Sequence, residues 1–472
     1  MDLPSGNRGR TPDDGIMTGP NDDFSYRISA AKGPFFFCDR RVVEDHWLVE
    51  RYVVPPERHP CNPLIVREHP WEGTGPRMGG SVLRDPSTGA FRMWYSIRDK
   101  HAAENRLPFS YNVCYAESED GMAWRKPSLG IFDYKGNSNN NCIRLGTDRT
   151  QNIDVCPNPK PGVYPGRYIA IHNQVGGVFV SSSEDGKTFT RLFDLPAIPY
   201  HSDTHNNIVY DEVRDRWLLF CRPRAFAGYH RRRVALQTSC DLQHWTHERT
   251  ILVPAEDEMP EYYGMTVFRR GDLLFGVVQI YDKATGFIHG ELAWSGDGEC
   301  WDFLPHHPVF ISRGSEGEWD AGMVMVAESP VDVGDQMWFY YGGFALQHNE
   351  TKRENVSSIG LMIAQRDRLI GLRPRGDQAG FVLTRPFNVA GRSLIVNAIV
   401  SGNVVAEIRS DDNKAIPGWS FEDCDPLTES SFGAEIRWKG RSLAQLGETE
   451  VRLIFRIENA SLFTFDLVAS RP

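Results

Sequence analysis

Carboxylates recur at one position of this chain's repeating strand pattern, and acid–base chemistry would be done there. Asp154 in Asn152-Ile-Asp154, Asp203 in Ser202-Asp-Thr-His-Asn206, Glu261 in Glu261-Tyr-Tyr-Gly-Met265 and Asp320 in Glu318-Trp-Asp-Ala-Gly322 each stand where an innermost strand opens. A fifth opening, Met78-Gly-Gly-Ser81, carries no acid. Carboxylates facing one cavity repel, which raises at least one pKa and separates a proton donor from an ionised partner. Glycosidic bond cleavage needs that division: one carboxylic acid protonates the leaving oxygen while a carboxylate attacks or activates water. The alternative is that these acids cap strand starts or bind an axial water or cation.

Strand alternation places Asp203 and His205 on one side and turns Thr204 towards the neighbouring sheet. His205 is expected to hydrogen-bond substrate or orient Asp203, with Asn206 and Asp320 as further substrate contacts. Trp71, Tyr262, Tyr263, Trp319 and Tyr341 could stack on sugar faces, whereas Trp94, Trp217 and Trp338 read as core. His201, Asp203 and His205 share a strand face without the preset geometry of a helical metal site, so neither metal nor cofactor is assigned. Arg222-Pro-Arg224 and Arg231-Arg-Arg233 could meet phosphate or an acidic sugar, or form a solvated hairpin edge.

The elements that would position these residues are repeats. Four turns share one pattern: Ser118-Glu-Asp120-Gly-Met-Ala-Trp124, Ser183-Glu-Asp185-Gly-Lys-Thr-Phe189, Ser239-Cys-Asp241-Leu-Gln-His-Trp245 and Ser295-Gly-Asp297-Gly-Glu-Cys-Trp301, spaced 65, 56 and 56 residues apart. Each follows an apolar strand and reads as a hairpin tip. A second series runs in phase upstream: FRMWYS, RYIAIH, RWLLFC, DLLFGV and QMWFYY. Five units of this size, with about four strands each, fit propeller blades, and radial closure removes exposed sheet edges. The fold class is therefore all-β: a five-bladed β-propeller over 24–375, followed at 376–472 by a C-terminal β-sandwich of alternating strands. Residues 1–23 read as a disordered tail.

The 472 residues carry 52 Lys and Arg against 62 Asp and Glu, a net charge of −10. That balance lacks the basic excess a phosphate backbone requires, so nucleic acid is not an expected partner. No window is long and apolar enough to span a membrane, and the first residues contain no apolar signal core. Nine cysteines without a CxxC pair read as reduced thiols in a cytoplasmic protein, with secretion the alternative if a signal sequence has been trimmed. A small-molecule carbohydrate is the expected partner, and a homo-oligomer is left open.

Motifs spread over nearly the whole chain resemble the five-bladed propeller glycoside hydrolases of families 32, 43 and 68, and especially bacterial proteins similar to the family 32 N-terminal domain. They are Phe36-Phe-Cys-Asp-Arg-Arg-Val, the stretch from Asp85 to Ser96, Ser202 to Asn206, Glu318 to Met323, and the segment from Leu394 to Phe465. The resemblance implies a glycosidase acting on a fructofuranoside, arabinofuranoside or related small glycoside. It implies an Asp, Asp, Glu order matched here by Asp154, Asp203 and Glu261, with Glu261 as general acid and Asp154 or Asp203 as nucleophile or base. In this chain the order falls on the second to fourth blades rather than the first three, and the invertase-type opening motif is absent. Glycoside phosphorolysis and a non-catalytic carbohydrate-binding propeller are the alternatives.

Overall fold

The computed structural model describes residues 28, 33–105, 107, 110–145, 150–224, 231–254, 260–348, 350 and 356–469, so the expected tail over 1–23 lies outside the described residues. The described chain is all-β, and its only α-helix is Lys100–Glu104. Each of the five apolar FRMWYS-type segments is the second main strand of an antiparallel unit, and the fourth and fifth units are further joined by a parallel bridge between Ile288 and Met323. Blade one comprises Val82–Arg84, Phe91–Arg98 and Tyr111–Ser118. Blade two comprises Thr150–Pro157, Tyr168–Gln174, Gly177–Ser183 and Thr190–Arg191. Blade three runs through Asn207–Asp211, Arg216–Cys221, Val234–Ser239 and Arg249–Leu252. Blade four is built on Glu261–Arg270, Leu273–Tyr281 and Ile288–Ser295. Blade five is built on Met323–Val326, Gln336–Phe344 and Ser357–Gln365.

Five apolar interfaces join these sheets into a ring. Trp94, Tyr115 and Ile153 connect blades one and two, and Ile169, Trp217 and Leu219 connect two and three. Phe220, Met265 and Leu274 connect three and four; Phe275, Leu292 and Phe339 connect four and five. Tyr340, Leu361, Met93 and Tyr95 then connect blade five back to blade one, closing the circle. Such side chains each contribute ~1.5–3 kcal/mol when buried. The last sheet acquires its outer strand from the start of the chain, since Glu57–Arg58 pairs with Ser357–Gln365.

The hairpin tips repeat in atomic detail. In blade one Ser118 Oγ donates to Asp120 Oδ1 (2.9 Å) and accepts from Gly121 N (2.9 Å), while Asp120 Oδ1 also accepts from Met122 N and Ala123 N (2.8 and 2.9 Å). The Asp185, Asp241 and Asp297 turns use the same pattern. The fourth tip position sits at positive φ, which Gly121, Gly186 and Gly298 supply freely and Leu242 adopts nonetheless. The tips also dock on neighbours: Trp94 Nε1 donates to Gly186 O (2.7 Å), and Tyr340 Oη donates to Gly121 O (2.8 Å).

After the blades the chain forms a nine-stranded sheet dominated by two long antiparallel strands, Arg392–Ser410 and Glu450–Ala469, whose pairing shifts register at bulges. Phe387, Leu394, Trp438, Phe455 and Leu467 lie in its core. The sequence reading places residues 24–375 wholly in the propeller. That boundary is corrected by Phe35–Phe36, Val43–Trp47 and Val49–Val53, which pair instead with C-terminal strands. Long-range backbone pairing decides this, and no local pattern records it.

Candidate functional site

The opening residues of the first strands do meet at one mouth of the ring. There they surround a cavity of about 390 Å³. Blade one contributes Arg77, Gly79, Ser96 and Arg98; blade two, Gln151 and Asn152; blade three, Asp203, Thr204 and His205. Tyr263 enters from blade four, and Met323, Met325 and Phe344 from blade five. Packing is tight here: a Cβ on Gly79 would lie 2.3 Å from the side-chain Oδ1 of Asn152, which would have to move to admit it. Thr204 also lines the cavity, with its hydroxyl donating to Tyr263 O (3.0 Å).

Asp203 is the one member of the expected carboxylate set that lines this cavity. Its side chain is 58% exposed, with Gln151 Nε2 donating to Oδ1 (3.0 Å) and Arg222 Nη1 3.7 Å from Oδ2. His201, Arg222 and Gln151 hold its carboxyl well below the usual carboxylate range, against the desolvation that opposes them. Asp203 is therefore ionised. His205 also reaches the cavity, as alternation requires, but its imidazole does not orient Asp203. Its Nδ1 lies 3.8 Å from Glu328 Oε1 on the inner side of the mouth. Burial, reinforced by Arg77 and Arg222, pushes His205 down to about 4, so it is neutral near pH 7.

Glu328 escaped the sequence reading. It closes the apolar run Met323-Val-Met-Val-Ala327, and a lone acid at the end of such a run was the available signal. The side chain is almost wholly buried, and desolvation together with nearby Asp154 drives its pKa well above the carboxylate range. Glu328 Oε2 and His205 Nδ1 both lack a hydrogen-bond partner.

The other expected site residues are placed elsewhere. Asp154 lies beneath the mouth, accepting from Ser81 Oγ (3.0 Å), Asn207 Nδ2 (3.0 Å) and Ile208 N (2.6 Å). Burial outweighs these bonds and pushes it up to about 7. A register shift between Gln151 and Ile153, with Asn152 at φ 57°, gives the cavity positions to Gln151 and Asn152 instead. Glu261 is ion-paired with Arg232 (2.6 Å), and a second shift between Tyr262 and Gly264 presents Tyr263 to the mouth. Asp320 accepts from Arg58 Nε (3.2 Å) and Tyr341 Oη (2.9 Å), so it fastens the closing strand rather than facing the cavity.

Among the expected sugar platforms, Tyr262 stacks near Phe303, Trp319 packs against Tyr341, and Trp71 stacks on His69 while donating to Asn141 Oδ1 (2.9 Å). None of these lines the mouth, whereas Tyr263 does. Asn206 is buried and directs its amide to backbone oxygens of Ser202 and Thr204 (3.3 and 3.4 Å). The basic stretch is largely engaged: Arg222 donates to Tyr263 O (2.5 Å), Arg231 to Pro254 O (2.7 Å) and Arg232 to Glu261. Among the described residues no group of three or more His, Cys, Asp or Glu side chains is arranged to hold a metal ion.

No protein-family model matches the chain, and no curated protein matches it. Solved structures do. An N-acetylgalactosamine deacetylase from F. plautii in complex with blood group B trisaccharide is 17% identical, with a TM-score of 0.45 over 71% of this chain and 95% of that one. A glycosyl hydrolase from Bacteroides ovatus is 14% identical, with a TM-score of 0.46 over 67% and 95%. The catalytic domain of a GH62 alpha-L-arabinofuranosidase from Coprinopsis cinerea is 12% identical, with a TM-score of 0.46 over 66% and 97%. The fold itself rests on the chain's own strand pairing.

Proposed function

We propose that this chain is a glycoside hydrolase whose substrate, a furanoside or other small glycoside, enters the five-blade mouth. The observation that carries the reading is an ionised, half-exposed Asp203 sharing one cavity with His205, whose imidazole is backed by a buried protonated acid. Asp203 is the nucleophile, or the base that removes a proton from water. Glu328 is the proton reserve: its proton passes to His205 Nδ1 as the Nε2 proton passes to the leaving oxygen. The 3.8 Å separation is long for that transfer, and such contacts commonly tighten when substrate binds. Glu261, paired with Arg232, supports the strand that carries Tyr263 in this reading, and the acid role passes from it to the His205 and Glu328 pair. The sequence motifs shared with propeller glycoside hydrolases support the same reaction class.

A screen of aryl glycosides and oligosaccharides tests the reading. Asp203→Asn and Glu328→Gln should each lower turnover by roughly 10²–10⁴. Turnover should also fall as pH rises through the elevated pKa of Glu328, a limb that Glu328→Gln removes. Wild-type and Asp203→Asn proteins equally inert throughout the screen would overturn it. A second reading, a non-catalytic carbohydrate-binding propeller, draws on one observation: only Asp203 of the four expected carboxylates lines the cavity. Saturable sugar binding without product after long incubation would favour it.

A further inference from the structure

The mouth carries cations that the proposed reaction does not use. Lys100 lies 3.9 Å from Glu104, and Arg222 is engaged by Asp203 and Tyr263 O. Arg77 and Arg98 differ. Both line the cavity, and neither guanidinium has a carboxylate or carbonyl acceptor among the described residues. Arg98 Nε is buried without any hydrogen-bond partner.

Backbone pairing fixes their relation. Arg77 is bridged to Ser96, and Arg98 follows two residues along the same strand, so Ser96 and Arg98 present side chains to one face. Each guanidinium is also seated on a ring: Arg77 lies 5.0 Å from the centroid of Phe344, and Arg98 5.8 Å from that of Tyr111. An aromatic seat orients the planar group without consuming its N–H donors, and the fork that remains matches a planar or tetrahedral oxyanion. Across the cavity Asp203 is already ionised and balanced by Arg222. Glu104 is paired with Lys100, and Glu350 also lines the cavity; neither arginine is ion-paired with either of them, so on the blade-one wall the two guanidinium charges have no carboxylate partner among the described residues.

We infer that Arg77 and Arg98 form an oxyanion-binding subsite, and that the preferred ligand is an acidic glycoside whose carboxylate, sulfate or phosphate group docks on blade one. This rests on the reading of the mouth as a glycoside site and narrows its substrate class. The anion would be held on one wall while the glycosidic bond lies towards Asp203, which keeps the two negative groups apart.

Calorimetry on the full chain tests it, using matched 4-nitrophenyl glycosides: neutral parents, the corresponding uronides, and their 6-sulfates and 6-phosphates. The expected result is that at least one acidic class binds ten-fold or more tighter than its neutral parent, which also identifies the oxyanion. Arg77→Gln and Arg98→Gln should each remove most of that preference, with melting temperatures close to wild type. Should a variant unfold, Arg77→Lys or Arg98→Lys keeps the charge and should restore only part of the preference. No acidic member binding above its neutral parent overturns the inference, as does a preference that survives both Gln substitutions. The two proposals fail separately. Acidic glycosides bound through these arginines but never cleaved sink hydrolysis alone, whereas glycosides cleaved with no preference for acidic members over their neutral parents, in wild type and both Gln variants alike, sink the subsite alone.

Discussion

Blade tips and strand openings are both periodic in this chain, yet they behave differently. At the tips Asp120, Asp185, Asp241 and Asp297 do the same thing four times, each capping two backbone N–H groups a few residues ahead. At the openings Asp154, Asp203, Glu261 and Asp320 do four different things: one is buried beneath the mouth, one faces it, one pairs with Arg232 and one holds Arg58. A turn acid finds its partners within its own segment. An opening acid finds them on another blade, where each neighbour is different.

The sharpest break of this contrast is functional. Asp203→Asn should reduce turnover by roughly 10²–10⁴, whereas Asp154→Asn and Asp320→Asn, which lie off the cavity, should keep most of the activity per folded molecule. Repulsion among the carboxylates expected to face one cavity would be relieved by Asp203→Asn. The neighbours are in fact His201, Gln151 and Arg222, so the substitution should cost stability, by about 1 kcal/mol or less for so exposed a pair. Melting curves recorded beside initial rates separate the two effects, and intact activity in Asp203→Asn would place the chemistry elsewhere.

Next in size is the closing latch. Asp320→Ala strips Arg58 and Tyr341 of a common buried partner, and because Arg58 is partly exposed and keeps Ser312 O, the loss should cost about 1–3 kcal/mol. Urea titration should show it as a lower midpoint, and a neutral result would mean that Glu57–Arg58 is held by its backbone pairing alone.

Asp154 offers a pH-dependent test. Its folded pKa, raised to about 7 from 3.8, means that the folded state holds a proton the unfolded chain has already lost. The stabilisation present at low pH is thus lost progressively as pH rises from about 4 through 7, by a few kcal/mol at most. Asp154→Asn should flatten that decline, so its melting temperature should gain on wild type between pH 5 and pH 8. An unchanged difference would mean that the buried charge is compensated.

The smallest effect should come from the tips. Asp185→Ala and Asp241→Ala should each cost about 0.5–1.5 kcal/mol for the hydrogen bonds removed. The two values should agree closely, and a large disparity would undo the equivalence of the tips.

The sequence by itself determined what is local. The Ser-x-Asp turns close through bonds between residues two or three apart, and the apolar strands before them alternate within a single segment, so five blades and the central position of Asp203 and His205 were legible. Tertiary structure decided the rest. The register shifts beside Asn152 and Tyr263 change which residue of each strand faces the mouth, because side-chain direction reverses with every residue. Glu328 acquires its meaning only from burial beside Asp154 and His205, which come from other blades. Likewise the 35–53 segment joins the C-terminal sheet, and Glu57–Arg58 closes the ring, through pairings hundreds of residues apart. Partners so distant leave no periodic trace in the chain that meets them.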